Sequence, residues 1–253
     1  MSGEETPHRS VIRIAGVDRE SFLQGLVSND VRRLKTGAAY AAFLSPQGKY
    51  LADFLLVPMA DAILLDVAES LADGLPRRLS MYKLRANVTL EKTALHVLRG
   101  LGPTPQGAFT DPRHPALGWR AYSPTPGAAP AIDWERIRVD HLIPESGIEL
   151  IPDETYILEA GFERLNGVDF RKGCYVGQEV TARMKHKTDL RKGLARVTVT
   201  GPADPGTPIL AGGKEAGQLL TRAGDRAIAY LRFDRAAGDM QAGSALVRLI
   251  PAN

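Results

Sequence analysis

Cysteine is nearly missing from this sequence: Cys174 is the single example in 253 residues, and aromatic residues make up only 6%. One thiol excludes an intramolecular disulfide, and no cysteine–histidine cluster suggests a complete metal site. No run approaches the roughly 18 apolar residues of a membrane span. The start, MSGEETPHRS, carries no apolar signal core. A cytoplasmic protein without a membrane partner, and a monomer, is therefore expected. A general nucleic-acid binder would show broad basic charge with interleaved aromatics, and neither is evident.

What is present is ordinary in bulk and uneven in detail. Apolar residues at 44% and charged residues at 24% suit a globular chain, and the length suggests two or more domains. The net charge is +3, yet residues 171–192 alone hold seven Lys/Arg against two acids. Such a local excess can face phosphate, a polyanionic substrate or an acidic partner, or it can be a solvated helix face.

Along the chain, Val11–Ile14 reads as a strand ending at Gly16, and Asp18 as the cap of a short helix through Phe22 and Leu23. Ser28, Asn29 and Asp30 fall in a tight loop. Asp30 can accept hydrogen bonds from a ligand, or the Asn29–Asp30 pair can simply hold a turn. Strands are expected at residues 40–44, 49–57, 62–66 and 87–90. Between 69 and 85 a helical pattern is interrupted by Pro76, which marks a kink or a helix start. This order predicts an α+β layer with mostly antiparallel pairing. Residues 100–130 hold seven of the 17 prolines, so a shortened subdomain or an irregular excursion is expected, with one short strand at Trp119–Tyr122. Trp134 opens a plausible helix and serves either as core packing or as an aromatic wall for a planar ligand. After Lys192, short strands and turns suggest a small β-barrel, with a hinge near residues 188–193.

The stretch Arg171–Glu179 concentrates the chemistry. Cys174 lies between Gly173 and Gly177, with Arg171 and Lys172 upstream and a helical pattern downstream in which Val180 and Met184 share a face. A thiol just ahead of a helix, beside a cation, is expected to favour thiolate. The alternative is a small buried hydrophobe.

Lys172-Gly173-Cys174-Tyr175-Val176-Gly177-Gln178-Glu179 resembles the K-G-C-F/Y-x-G-Q-E signature of YgfZ-type folate-binding proteins, relatives of the glycine-cleavage aminomethyltransferase. Phe22–Val31 is similar to that family's F-L-Q-G-x-x-S/T-N-D-V, residues 47–56 to its second strand pair, and Tyr82–Val88 to its Y-x-L-R-x-x-V. The resemblance implies a ferredoxin-like N-terminal part and a related middle subdomain around a central folate cavity. In residue terms this is a folate-binding region over 9–190, shortened at 94–131, and a C-terminal barrel over 193–253. It implies tetrahydrofolate as cofactor, with Trp134 at its ring face and Asp30 and Asn29 nearby. It also implies a role in assembly or repair of iron–sulfur enzymes, including those that modify tRNA, with Fe–S assembly proteins or client enzymes as partners. Cys174 would then handle a cluster or form a mixed disulfide, with Lys172 favouring the thiolate. Gly173 and Gly177 would allow close approach, Tyr175 completes the motif, and Gln178 and Glu179 would order the helix start. One cysteine cannot supply the four thiolates usual for a cluster, so a transient cluster needs ligands from a partner. Two other classes stay open: a folate-dependent one-carbon transferase using Asp30, and an RNA-binding module resting on the basic stretch.

Overall fold

The structure is a computed structural model that describes residues 3–186 and 190–251. The expected hinge at 188–193 lies partly outside the described residues.

Three β units surround one centre. The first is an antiparallel five-stranded sheet in the order Ala39–Leu44, Tyr50–Pro58, Ala62–Ala68, Arg9–Ala15 and Thr89–Lys92. Its inner strands read as nearly continuous apolar runs because both faces are covered. Alternate side chains point to opposite faces. Ile12, Ile14, Phe43, Phe54 and Leu65 pack on the helical side, whereas Val11, Tyr40, Leu44, Leu55 and Leu64 face the centre. The helical side consists of α1 (Arg19–Gln24), α2 (Glu69–Ala72) and α3 (Leu75–Ser80). Pro76 sits in the first turn of α3, where its missing N–H costs nothing, so the interrupted pattern is two short helices. Asp18 stands at the N-cap of α1 as expected, but its side chain makes no capping hydrogen bond; its carboxylate accepts from the Asn87 N–H instead, at 2.8 Å.

The proline-rich middle is more regular than its composition suggests. His96–Gly100 pairs with Trp119–Ser123, and Glu4–Glu5 and Phe109–Thr110 complete a four-stranded sheet. Helix α4 (Trp134–Asp140) leads back to the centre, and α5 (Gln178–His186) follows the cysteine motif. The expected short helix at 156–161 is a run of turns. The C-terminal unit is a closed six-stranded barrel spanning Lys192–Leu249. Alanine lines much of its interior, with Ala195, Ala216, Ala227, Ala229 and Ala242 all buried, as a narrow closed barrel requires. Its strands Pro208–Ala211 and Asp239–Ala242 have no counterpart in the sequence reading.

A buried ionic network joins the pieces. Asp66, fully buried in the first sheet, accepts from Arg9 Nε at 2.6 Å, Arg120 Nη1 at 2.9 Å and the Tyr122 hydroxyl at 3.0 Å. Arg120 also donates to Asp111, which holds Arg113. Residues far apart in sequence are thus fixed by charge-assisted hydrogen bonds. Burial alone would raise the Asp66 carboxyl, but Arg9 and Arg120 outweigh it and hold it below its ordinary value.

Removing one member of a buried pair leaves the others uncompensated, so Asp66→Asn is expected to lower stability by about 3–5 kcal/mol, measured by urea unfolding at pH 7. A depressed carboxylate contributes stability above its unfolded pKa of about 3.9, and that contribution fades as the pH falls through the lower folded value. The gap between wild type and Asp66→Asn should therefore narrow only in acid.

Candidate functional site

The cysteine motif is built on the loop that connects α1 to the first sheet. Ser28 Oγ donates to Gly167 O at 2.6 Å and accepts from Ala42 N at 2.8 Å. Asn29 Nδ2 donates to Tyr40 O and Asn166 O, at 2.8 and 2.6 Å, while its Oδ1 accepts from Asp30 N. Asp30 caps the 3-10 helix Val31–Lys35 by accepting from Arg32 N, and it is gripped by the Arg32 guanidinium. That hydrogen bond is the main reason its carboxyl is pulled down to about 2. Asn29 and Asp30 therefore hold a turn, the structural alternative raised for them, and they fasten residues 166–169 alongside it.

Lys172 closes the arrangement. Its side chain is buried, and its ammonium donates to the carbonyls of Gln24 at 2.8 Å, Asn29 at 3.0 Å and Val27. Burial lowers its pKa to about 8, against partial support from Asp30 and Asp169. The lysine was expected to favour a thiolate; its three donors are instead directed at backbone carbonyls. The expected close approach falls to Gly177, at φ +81°, where an added Cβ would lie 2.6 Å from Ser45 O and 2.9 Å from Leu44 Cβ. At Gly173 a Cβ would meet nothing within 4 Å. Tyr175 is buried between them, and burial raises its hydroxyl to about 12. Val176 N donates to Gly25 O at 3.3 Å.

Cys174 itself is exposed, so the buried-hydrophobe reading does not hold. Three residues separate it from Gln178, the first of α5; the thiol stands on the preceding loop and does not occupy the helix end. Val180 of that helix packs on Gly48 and Met184 on the central core. The basic helix face is largely ion-paired: Arg183 with Glu179 at 2.6 Å, and Lys185 with Glu163 at 2.5 Å. These pairs match a solvated face. Lys187 lies outside the described residues.

A second feature lies at the centre. Trp134 is buried; its Nε1 donates to Glu4 at 2.7 Å, and the Arg99 guanidinium stacks on its ring at 4.3 Å. Around them Arg113, Arg120, Arg138, Asp53 and Asp111 line a cavity with about 40 Å³ of free room. That holds a few waters, whereas ligand pockets run to roughly 300–1,000 Å³. Arg99 covers one face of that ring, and the free room is too small for a molecule the size of tetrahydrofolate with the side chains as they stand. Asp53 inside it is already held by hydroxyls of Tyr40, Tyr50 and Ser146, at 2.9, 2.8 and 2.5 Å. Asn29 lines a separate groove between the two sheets, and Asp30 belongs to neither space. The structure thus keeps Asp30 apart from Trp134, and the carboxylate on which the transferase reading depended is not in this cavity. The arginines escaped the sequence reading because their partners lie far along the chain; Arg120 and Asp66, for instance, are 54 positions apart.

The fold defines the class. Across 99% of this chain and 86% of the other, it superimposes with a TM-score of 0.78 and 13% identity on the crystal structure of glycine cleavage system aminomethyltransferase T from Bartonella henselae. Residues 191–253 match the CAF17 C-terminal beta-barrel domain. In sequence, the chain is 32% identical to the mouse iron–sulfur cluster assembly factor IBA57, mitochondrial, over 92% of its own length and 78% of the relative's. The human counterpart is 29% identical with the same coverage. A homologue from Mycosarcoma maydis is 31% identical, and there the chain spans only 55% of the relative. This protein belongs to the IBA57 family of iron–sulfur cluster assembly factors, the YgfZ group anticipated from its motif. The same relatives overturn the cytoplasmic expectation, since all three are named as mitochondrial.

Lys172→Met keeps the length but removes the three donors, and leaving buried carbonyls unpaired costs about 1–3 kcal/mol. Its pH dependence has a definite sign. Between about 8 and about 10.4 the unfolded chain holds the lysine proton more tightly than the folded one. The pH-linked part of the stability therefore rises through that window and is flat below it. Urea unfolding from pH 7 to 10.5 should show this slope in wild type and lose it in Lys172→Met.

Proposed function

We propose that this chain is an iron–sulfur cluster assembly factor in which Cys174 is the contact with a cluster, or with the thiol or sulfide of its donor. The observation that carries this reading is an exposed thiol on a loop that is immobilised from beneath by Lys172, Tyr175 and Gly177. A structural cysteine would be buried; this one is the free end of an anchored motif. A single thiolate completes a cluster only together with ligands from another molecule, so the chain acts on a partner: an Fe–S assembly protein or a client enzyme, tRNA-modifying enzymes included. The family membership supports the role, since the relatives are themselves named as iron–sulfur cluster assembly factors.

The remaining donors suit positioning, not self-contained catalysis. Lys172 and Asn29 fix the loop, and the Gly177 turn sets the thiol's distance from α5. Tetrahydrofolate, implied by the sequence resemblance, is proposed as a ligand of the central cavity in an opened form only, with Arg99 moved off Trp134. The Arg99 guanidinium makes no hydrogen bond among the described residues, its Nε is buried without a partner, and burial lowers its pKa to about 10. Few contacts therefore hold it over the ring.

In a strain lacking the native gene, Cys174→Ala and Cys174→Ser are expected to fold normally by circular dichroism yet restore less than about a tenth of wild-type Fe–S enzyme activity, a loss of over 1.4 kcal/mol in coupling. Full rescue by both variants would refute the thiol role. For folate, titration with tetrahydrofolate should quench Trp134 fluorescence more strongly in Arg99→Ala than in wild type, with Trp134→Phe leaving only the Trp119 signal. Absence of quenching in every form removes folate from the account.

A further inference from the structure

The face beside the cysteine motif combines three features that folding alone does not require. Leu84 is 92% exposed, Met81 69% and Val17 80%. Leu84 also adopts a φ of +45°, a left-handed conformation that leucine rarely takes. The chain thus accepts backbone strain in order to hold an apolar side chain in water. The loop is well fastened nonetheless. Ala86 N donates to Lys83 O at 2.8 Å and Asn87 N to Asp18 Oδ2 at 2.8 Å. Gly16 fits so closely beneath that a Cβ there would lie 2.0 Å from Asn87 O.

Positive charge predominates around this apolar tip; the acids on the α1 side are Asp18, whose carboxylate is committed to Asn87 N, and Glu20. Residues 75–90 contain Arg77, Arg78, Lys83 and Arg85 and no acid. Arg77, Arg78 and Arg85 are exposed, and the preceding Asp73 is paired with Lys92. The surface is continuous with the thiol through α1. On one side of that helix a groove of about 400 Å³ is lined by Glu20, Ser21, Gln24, Arg32 and Gly173. On the other, a groove of about 530 Å³ is lined by Asp18, Ser21, Phe22, Tyr82, Arg85 and Val176. Gly173 and Val176 flank Cys174 in sequence, so the two grooves reach the loop that carries the thiol.

Resting on the cluster-handling role proposed above, we infer that this face, from Val17 across α1 to Met81–Arg85, is the docking surface for a folded protein partner that brings an apolar contact rimmed with acidic residues. The excess of basic residues favours an acidic rim, and the exposed Leu84, Met81 and Val17 form an apolar patch of the kind that marks an interaction site. A lipid surface would be met by an extended amphipathic helix, but α1 and α3 have six residues each. Single-stranded RNA would stack on free aromatic faces; Tyr82, the aromatic on this loop, is half-buried and packed edge-on against Phe43 at 5.9 Å.

The test uses the full chain in a strain lacking the native gene. Leu84→Asp and the double charge reversal R77E/R78E are compared with Cys174→Ala for restoration of Fe–S enzyme activity, with thermal melting of each purified protein. p-Benzoylphenylalanine placed at position 84 is photo-activated in the same strain, and the adduct is mapped by mass spectrometry. Purified protein is also floated with vesicles of phosphatidylglycerol and phosphatidylcholine. Both surface variants are expected to melt like wild type and lose about tenfold in activity, as removal of an interface anchor does. The adduct should be a protein, cross-linked at an apolar residue flanked by acids, retained in Cys174→Ala and lost in R77E/R78E. Should Leu84→Asp fail to fold, R77E/R78E carries the comparison, because both arginines are exposed. If the surface variants restore full activity while Cys174→Ala does not, the docking inference falls and the thiol role stands. If Cys174→Ala also restores full activity, both fall. An RNA adduct, or vesicle binding abolished by Leu84→Asp with no protein adduct, overturns the inference in favour of that other partner.

Discussion

The Lys172 ammonium, buried and shared among three carbonyls of residues 24–29, is the constraint from which the site follows. A buried cation is costly unless its donors are satisfied. The loop before the first sheet is folded into a concave ring of acceptors that satisfies them. Ser28 and Asn29 turn their own side chains outward from that ring to hold residues 166–167. The lysine consequently draws the motif inward at position 172, Tyr175 buries the next anchor, and the two residues between them are left on the outside. Cys174 is exposed because its neighbours on both sides are committed to the interior.

The centre of the molecule shows the same economy in a different form. A fold shared with an aminomethyltransferase surrounds a space that here is filled by guanidinium and carboxylate groups. Asp66 and Asp111 neutralise Arg9, Arg113 and Arg120, and Arg138 reaches Glu149 at 3.1 Å and Thr221 of the barrel at 3.2 Å. The network joins the first sheet to the middle sheet and α4 to the barrel. Burial of so many charges is tolerable only because nearly all are paired. Among the described residues Asp53 is held by hydroxyls alone and Arg99 has no ion pair; Arg99 leans on Trp134 through a cation–π contact.

The sequence made the motif legible because its residue types are rare together, and α5 because Val180 and Met184 repeat at helical spacing. Strands with both faces buried, such as Tyr50–Pro58, showed as apolar runs. The Pro76 break was readable as a helix start. What stayed hidden was relational. The strand His96–Gly100 is masked by the prolines that follow, since composition does not reveal that a short strand finds a partner at Trp119–Ser123. Asp18 looked like a helix cap because nothing local announces Asn87 as its donor. The direction of the Lys172 side chain could not be read at all: its acceptors are backbone carbonyls, which carry no residue signature. The exposed Leu84 falls within the 69–85 span and the Tyr82–Val88 motif without belonging to the helical spacing, and only its left-handed backbone sets it apart.

The central claim is that Cys174 meets the cluster of a partner directly. It is tested most directly by the rate at which iodoacetamide alkylates Cys174 under anaerobic conditions, with an Fe–S protein whose activity depends on this chain supplied in cluster-loaded or cluster-free form. The account predicts that the loaded partner protects the thiol and the cluster-free partner protects it much less. Alkylation at the same rate with the loaded partner, the cluster-free partner and no partner at all would contradict it.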